Sequence, residues 1–287
     1  MPELPEVETV VLGLRSLLPG HKFVRVEFDW SKSFPNTQAD VEKFLFGSDV
    51  IDVRRRGKAI LIDLSSDYTL VIHLKMTGQL VYRGESDFGG GHPSDSLVDK
   101  LPDKSTRVEF EFENGHKLFF NDQRKFGWVR LLPTLEVGEI NFMKNLGPDA
   151  LTVTDTEFVK RFKSRHKSIK ACLLDQTILA GCGNIYADEA LWASQIHPKT
   201  TASKLTDKQL AELHRCLQQV LKLSISLGGS SSKNYVNAQG ERGSYLTFAN
   251  AYGRDGLPCN RCGQEMTKMV VAGRGTHVCQ GCQRVKK

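Results

Sequence analysis

The chain has 287 residues, 40% of them apolar, and a net charge of +6, with an isoelectric point near 8.9. That length suits about two folding units of ~150 residues and excludes a short disulfide scaffold; no apolar run reaches the ~18 residues of a membrane span, and the acidic, proline-containing N-terminus lacks a secretory signal, so a cytoplasmic protein with no membrane partner is expected. The positive charge is too small to name a partner but is uneven: Arg261, Lys268, Arg274, Arg284, Lys286 and Lys287 against Glu265 place +5 of it in the last thirty residues.

In chain order, Val7, Val10, Val11, Leu14, Leu17 and Leu18 fall on one helical face after Pro5, until Pro19 and Gly20 end the helix. From about 22 to 132, runs such as Phe23–Phe28, Ala59–Leu64, Leu70–Leu74 and Val108–Phe112 predict half-buried antiparallel strands. Within them, 84–106 carries Gly89, Gly90, Gly91, His92 and Pro93 among many charges, and predicts an exposed loop insertion. A linker over 133–149 leads to helices: Thr154 or Asp155 can cap one carrying Phe158, Val159 and Phe162, Ser168 can cap one carrying Ile169, Cys172 and Leu173, and Asn184 can cap a third. A fourth starts near Thr206 with Leu210, Leu213, Leu217, Val220 and Leu221, and Gly228 and Gly229 stop it. Residues 229–257 lose periodicity and predict a mobile loop.

Seven cysteines, an odd number, argue against a closed disulfide set. Cys259, Cys262, Cys279 and Cys282 form two CxxC pairs with sixteen residues between them, the spacing of a tetrahedral site for one structural zinc ion. Between the pairs the chain reads as strand, turn and returning strand, a zinc-braced hairpin with Arg274 at its tip. A basic tip suits a narrow, negatively charged groove; a purely structural staple is the alternative. Cys172, Cys182 and Cys216 read as small apolar fillers.

Three segments carry chemistry. Removing Met1 would leave a secondary amine on Pro2, whose α-amino group keeps a useful neutral fraction near neutrality and can attack an electrophilic sugar carbon. Glu3 beside it can protonate a leaving or ring oxygen, and Glu6, one turn on, can steer protons or water; the bland alternative is an ordinary helix start. Gly181, Gly183 and Asn184 at a helix start expose backbone N–H groups at the positive end of a dipole, a cradle for phosphate. Arg54, Arg55, Arg56 and Lys58 enter a buried strand, where Lys58 can meet a phosphate or act as a second base.

These residues resemble a family. Met1-Pro-Glu-Leu-Pro-Glu-Val-Glu-Thr9, Gly57-Lys58, His73-Leu-Lys-Met76-Thr-Gly78, Arg124-Lys-Phe126-Gly127, Gly183-Asn-Ile-Tyr-Ala187, Tyr252-Gly-Arg254 and the four cysteines are similar, in order along the chain, to the bacterial formamidopyrimidine-DNA glycosylases, which are also DNA-(apurinic or apyrimidinic site) lyases. The resemblance implies an α+β multidomain fold: an N-terminal two-layer antiparallel β-sandwich flanked by helices (1–132), a helical helix-two-turn-helix domain with a lesion-binding loop (150–240), and a four-cysteine zinc-finger β-hairpin (241–287). It implies a monomer in the bacterial nucleoid that acts on double-stranded DNA containing oxidised bases or abasic sites.

The resemblance also implies roles. Pro2 would attack C1′ of a damaged nucleotide and form a Schiff base after the base leaves; Glu3 would open the deoxyribose, Lys58 would serve β-elimination while holding a phosphate, and Arg274 would hold phosphate and serve δ-elimination. Met76 and Phe126 would wedge the stack and Arg124 pair with the orphaned base, although ordinary core packing is the alternative for the two apolar ones. Asn184, His73 and Tyr186 would contact backbone phosphates, and Arg165 would bind DNA where the family commonly has lysine. Ser105 and Arg107 stand where a DNA-contacting histidine is usual, with Arg107 expected to compensate. Lys75 replaces the usual glycine before Met76, Gln123 the usual proline, and Lys125 the usual second arginine. Two other readings stay open: an endonuclease VIII-like enzyme for oxidised pyrimidines, against which Leu4 argues, and a catalytically silent module that binds damaged DNA, against which Pro2, Glu3 and Lys58 argue.

Overall fold

The computed structural model describes residues 1–230 and 245–284. These fall into two compact units, one of 1–144 with 227–230 and one of 145–226 with 245–284. The first opens with helix α1 (Leu4–Leu17), whose Leu4, Val7, Val10, Val11 and Leu14 are buried as their spacing requires. Strands follow: β1 (Phe23–Phe28), then, after the short helix α2 (Gln38–Asp40), β2 (Val50–Arg56), β3 (Ala59–Leu64), β4 (Tyr68–His73), β5 (Gly78–Arg83), β6 (Phe88–Gly91), β7 (Thr106–Phe112), β8 (Lys117–Asp122) and β9 (Trp128–Pro133). Helix α3 (Asn141–Lys144) comes after them.

The strands make two antiparallel sheets, ordered β1-β7-β8-β5-β6 and β2-β3-β4-β9. Side chains from both, among them Phe23, Ile60, Ile62, Leu70, Ile72, Leu80, Phe110, Phe120 and Val129, form one buried core with α1 along its side. This is the two-layer sandwich with flanking helices. Register brings Gly78 opposite Asp122 and His73 opposite Trp128, so the ends of β4, β5 and β8 deliver the loops 73–78 and 122–127.

The segment 84–106 differs from the expected exposed loop. Its glycines form β6, an edge strand buried along its whole length, because residues without side chains can lie close against neighbours. Phe88 packs on α1 at Gly13, where a Cβ would lie 2.2 Å from the ring. Beyond it, Leu97 joins Val81 and Phe119 in a second small core.

In the second unit, α4 (Asp155–Lys163) is capped by Thr154, whose Oγ1 accepts from Glu157 N at 3.2 Å. Helix α5 (Ile169–Leu174) is capped by Ser168, and α6 (Asn184–Ala193) follows. Asn184 is not the cap: Gly183, with extended backbone, takes that position, which leaves the amide of Asn184 free for another use. The twenty-residue α7 (Asp207–Ser226) buries Leu210, Leu213, Leu217 and Leu221. Of the expected mobile loop, 231–244 lies outside the described residues, whereas 245–257 holds the single-turn helix α8 (Tyr245–Phe248) and ordered turns. Strands β10 (Thr267–Val271) and β11 (Arg274–Val278) form the expected hairpin; Ala272 and Gly273, at φ 51° and 69°, make the two-residue turn whose twist suits it.

Candidate active site and nucleic-acid interface

In the first unit the chain's first residues are tucked in. Pro2 is buried, and the side chains of Glu3 and Glu6 are almost wholly so. Glu6 is the organiser: one carboxylate oxygen accepts from Glu3 N at 2.8 Å and the other from Ser230 N at 2.8 Å. Burial lowers the pKa of the Met1 amine, one residue ahead of Pro2, below its ordinary value; the charges of Glu3 and Glu6 oppose that, and Lys58 adds to it. Two acids and a lysine therefore act electrostatically on one amine.

Lys58 lies, with Gly57, in the two-residue turn between β2 and β3. Arg55 braces that turn, donating to Glu8 at 2.5 Å and to the carbonyl of Gly57 at 2.9 Å. Lys58 itself is 6% exposed and forms no ion pair with any described residue. His73 is buried too, with its ring against Phe142 and Trp128. Burial, together with Lys75 and Lys58, pushes its pKa down to about 3. Its Nδ1 accepts from Lys75 N at 3.0 Å, so the neutral ring carries its proton on Nε2, a donor suited to phosphate oxygen.

Met76 and Phe126 are exposed, at 37% and 54%, which sets aside core packing for both. The Arg124 guanidinium lies 4.9 Å over the Phe126 ring. Lys125, at φ 57°, turns the other way and sets its ammonium 4.9 Å over the Trp30 ring.

In the second unit, Asn184 donates from Nδ2 to the carbonyl of Gly275 at 3.0 Å, tying the start of α6 to the hairpin beside Arg274. Arg274 is exposed at the first position of β11. A buried network backs this junction. Lys170 Nζ donates to Asp188 at 2.6 Å and to Thr276 Oγ1 at 2.7 Å, and the other Asp188 oxygen accepts from His277 N at 2.9 Å.

The four cysteines of the two CxxC pairs converge, with all four sulfurs within 4.8 Å of one another. None is in a disulfide. Cys259 and Cys282 are 4.0 Å apart and Cys262 and Cys279 3.5 Å apart; sulfurs at about 2.3 Å from a tetrahedral zinc would be ~3.8 Å apart. Two N–H groups point at Cys259 Sγ, from Trp192 Nε1 at 3.3 Å and Arg261 N at 3.4 Å, as suits a thiolate. Arg261 then stacks 4.1 Å over the Trp192 ring and donates to the carbonyls of Trp192 and Ala193, locking the knuckle to the end of α6.

Three family models match in succession: the formamidopyrimidine-DNA glycosylase N-terminal domain over 1–129, the formamidopyrimidine-DNA glycosylase H2TH domain over 146–236, and a zinc finger found in FPG and IleRS over 256–285. Formamidopyrimidine-DNA glycosylases of Pediococcus pentosaceus and Pelotomaculum thermopropionicum are 41% and 39% identical, the alignments covering 99% and 100% of this chain and the same shares of theirs. The chain belongs to the formamidopyrimidine-DNA glycosylase family. Among solved structures, a complex of Lactococcus lactis Fpg with abasic-site DNA matches at a TM-score of 0.85 and 32% identity over 99% of this chain and all of that one. A MutM complex with DNA containing carbocyclic 8-oxo-G matches at 0.85 and 33%, with the same coverage.

Within this glycosylase fold, three expected DNA contacts are corrected. Ser105 is buried, its hydroxyl donating to Asp103 at 2.6 Å and paired with Ser96 at 3.1 Å, so it faces its own loop. Arg107 does not compensate for the absent histidine: it is 4% exposed and spent on Asp29 and on the carbonyls of Lys104, Ser105 and Asp122. Tyr186 has no exposed side chain, and its hydroxyl bonds Ser224 at 2.6 Å, because the third residue of α6 faces the helical core. Arg165 is half-buried, with its Nε enclosed and without a hydrogen bond among the described residues.

Sequence reasoning also missed three buried polar groups that hold functional segments. Asp122 collects the backbone of 124–127. The Lys170–Asp188 pair backs the hairpin. Glu189 accepts from the N–H groups of Asn250, Ala251 and Tyr252 at 2.8 to 2.9 Å. The one signal for Asp122 was its position just ahead of a turn, where aspartate bonds the backbone that follows.

Proposed function

We propose that the protein is a base-excision repair enzyme that removes oxidised purines from duplex DNA and then cleaves the strand, with the amine of Pro2, freed by loss of Met1, as nucleophile. The observation that carries this reading is the placement of Pro2 at a buried chain start beside Glu3 and Glu6, where both acids and Lys58 already act on the amine of Met1 that precedes it. Loss of Met1 would expose the secondary amine of Pro2 in these surroundings, and a neutral amine is the nucleophilic form.

The nitrogen of Pro2 bonds to C1′ of the damaged nucleotide as the base leaves with the glycosidic electron pair. Glu3 takes the N–H proton of Pro2 and passes it to the ring oxygen, the C1′–O bond opens, and a cationic iminium remains on the nitrogen. That cation draws electrons from C2′ once its proton is removed, so the 3′ phosphate leaves, and a second elimination releases the 5′ phosphate. Lys58 assists the first elimination while holding a phosphate, and Arg274 assists the second. Met76, Arg124 and Phe126 fill the space of the extruded nucleotide, whose removal from the stack costs a few kcal/mol; Asn184, neutral His73 and Arg165 contact backbone phosphates. Cys259, Cys262, Cys279 and Cys282 would hold a zinc ion whose role would be structural, keeping the hairpin of Arg274 in shape. An intracellular, nucleoid setting goes with this activity; among the described residues no helix is long and apolar enough to cross a membrane.

Borohydride trapping on a duplex carrying 8-oxoguanine opposite cytosine tests the reading. A covalent adduct is expected from the chain beginning at Pro2 and none from Pro2→Gly or from a chain that keeps Met1. No adduct from the Pro2 chain on that duplex or on an abasic one would overturn it.

A further inference from the structure

Asp122 is the last residue of β8 and has no solvent exposure. A carboxylate buried to that degree must have its oxygens filled, and here the groups that fill them belong to two exposed loops. Oδ1 accepts from the hydroxyl of Thr77 and from Arg124 N at 3.2 Å; Oδ2 accepts from Phe126 N at 2.8 Å and Gly127 N at 2.7 Å. Thr77 Oγ1 in turn accepts from Arg124 N at 3.1 Å, closing the ring. Thr77 is the neighbour of Met76. One carboxylate thus fixes the backbone beneath Met76, Arg124 and Phe126 together.

The anchor is itself fixed. Asp122 N donates to the carbonyl of Ser105 at 2.7 Å, and its carbonyl accepts from Arg107 Nε at 3.1 Å. The loop it holds needs holding, because Lys125 sits at φ 57°, a conformation that a side-chain-bearing residue adopts at a cost. Gly127 approaches so closely that a Cβ there would lie 2.6 Å from the Phe120 ring. Ser105 and Arg107, which do not reach outward, thereby support the wedge from behind.

We propose that Asp122 is a positioning residue for base extrusion: it aligns the Met76 loop with the Arg124–Phe126 loop so that the three side chains enter the helix as one rigid wedge. This rests on the reading of Met76, Arg124 and Phe126 as the residues that replace the extruded nucleotide.

The test uses the full zinc-bound chain beginning at Pro2 and an 8-oxoguanine·cytosine duplex with 2-aminopurine beside the lesion, whose fluorescence rises as the stack opens. In Asp122→Ala the fluorescence rise and single-turnover base release should slow by about ten-fold or more, and by several-fold more than cleavage of a preformed abasic site in single-stranded DNA. Asp122→Asn, whose amide oxygen can still accept from Phe126 and Gly127, should recover part of the loss. The decisive comparison is in the background of Phe126→Ala with Arg124→Ala, where Asp122→Ala should cost less than about three-fold, since residues acting through one another are not additive. An equal loss in both backgrounds, or equal losses on both substrates, would make Asp122 a general stabiliser and overturn the proposal. Should Asp122→Ala not fold, Thr77→Val, which removes only one arm of the ring, should slow extrusion by about three-fold with an unchanged melting temperature; unaltered extrusion in that variant would equally overturn it. Absence of base release by the unsubstituted chain would instead count against the enzymatic reading.

Discussion

The hairpin of Arg274 and the loops of Met76 and Phe126 both push side chains into solvent, yet they rest on different supports. Behind the loops lies a two-sheet core of more than twenty buried apolar side chains, so that one carboxylate, Asp122, at its edge can hold the loop backbone. Behind the hairpin, besides the buried Lys170–Asp188 pair, the apolar support is small: Ala251, Cys259, Met266 and Cys279 are buried, with Trp192 and Cys282 against them, and β10 alternates outward so strongly that Val270 is 71% exposed. So small an apolar cluster does not hold a hairpin in water, and a metal takes the place of the missing core. The support a functional segment needs thus follows from the amount of apolar surface beneath it.

The largest effect should come from taking the metal away. Structural zinc contributes on the order of 10 kcal/mol to small fingers, so chelation, or Cys279→Ser, should abolish the hairpin and leave the sandwich folded. Trp192 reports on this directly, because its N–H points at Cys259 Sγ: its emission should shift to the red as one zinc per chain is lost, and duplex affinity should fall by at least about ten-fold. Full affinity in a protein shown to be free of zinc would mean the hairpin is no part of the interface.

The loop side should instead answer to acid. His73 has an ordinary pKa of 6.5 and is held at about 3 in the fold, so below pH 6.5 the unfolded chain binds a proton that the folded one refuses. The stability that neutral burial of His73 provides is complete above pH 6.5 and is lost as pH falls toward 3, by about 2 kcal/mol at pH 5. Chemical denaturation at pH 7.5 and pH 5 should show that slope in the native chain and a shallower one in His73→Gln. Parallel slopes would show that His73 titrates normally. The ring stays neutral throughout the physiological range, so the hydrogen bond to phosphate proposed for it should contribute no pH dependence to binding between pH 6 and 8.

The same contrast explains what could be read from the sequence. Paired CxxC motifs announce a zinc site because four side chains of one kind must meet at fixed spacing, and the helices of the second unit announce themselves by period and cap, as at Thr154 and Ser168. At the proposed active-site end, the sequence offers candidates where chemistry demands a rare residue, as at Pro2, Glu3 and Lys58. It offers none where one common residue serves another's backbone. Nothing in the composition around Asp122 or Lys170 distinguishes a buried anchor from a surface charge, and the inward turn of Arg107 depends on Asp29, seventy-eight residues away in the chain. The glycines of 89–91 misled for the opposite reason: the freedom that makes glycine a loop signal also lets a strand lie flush against Phe88 and α1.

The smallest effect concerns Lys75, and it separates local strain from function. Lys75 stands at φ 49°, in the left-handed region, which accounts physically for the glycine usual at this position in the resemblance. Holding a side chain there costs about 1 kcal/mol, while a glycine gives back about 0.5 to 1 kcal/mol of that through the added freedom of the unfolded chain. The backbone N–H that bonds His73 Nδ1 survives the change; the ammonium, 6.0 Å over the Phe142 ring, does not. Lys75→Gly should therefore leave the melting temperature unchanged or raised by about 2 °C. If the lysine meets a phosphate, the dependence of duplex affinity on salt should become shallower by about one unit of slope. A loss of more than about 1 kcal/mol in stability would show that the ammonium, and not the backbone, holds the 73–78 loop in place.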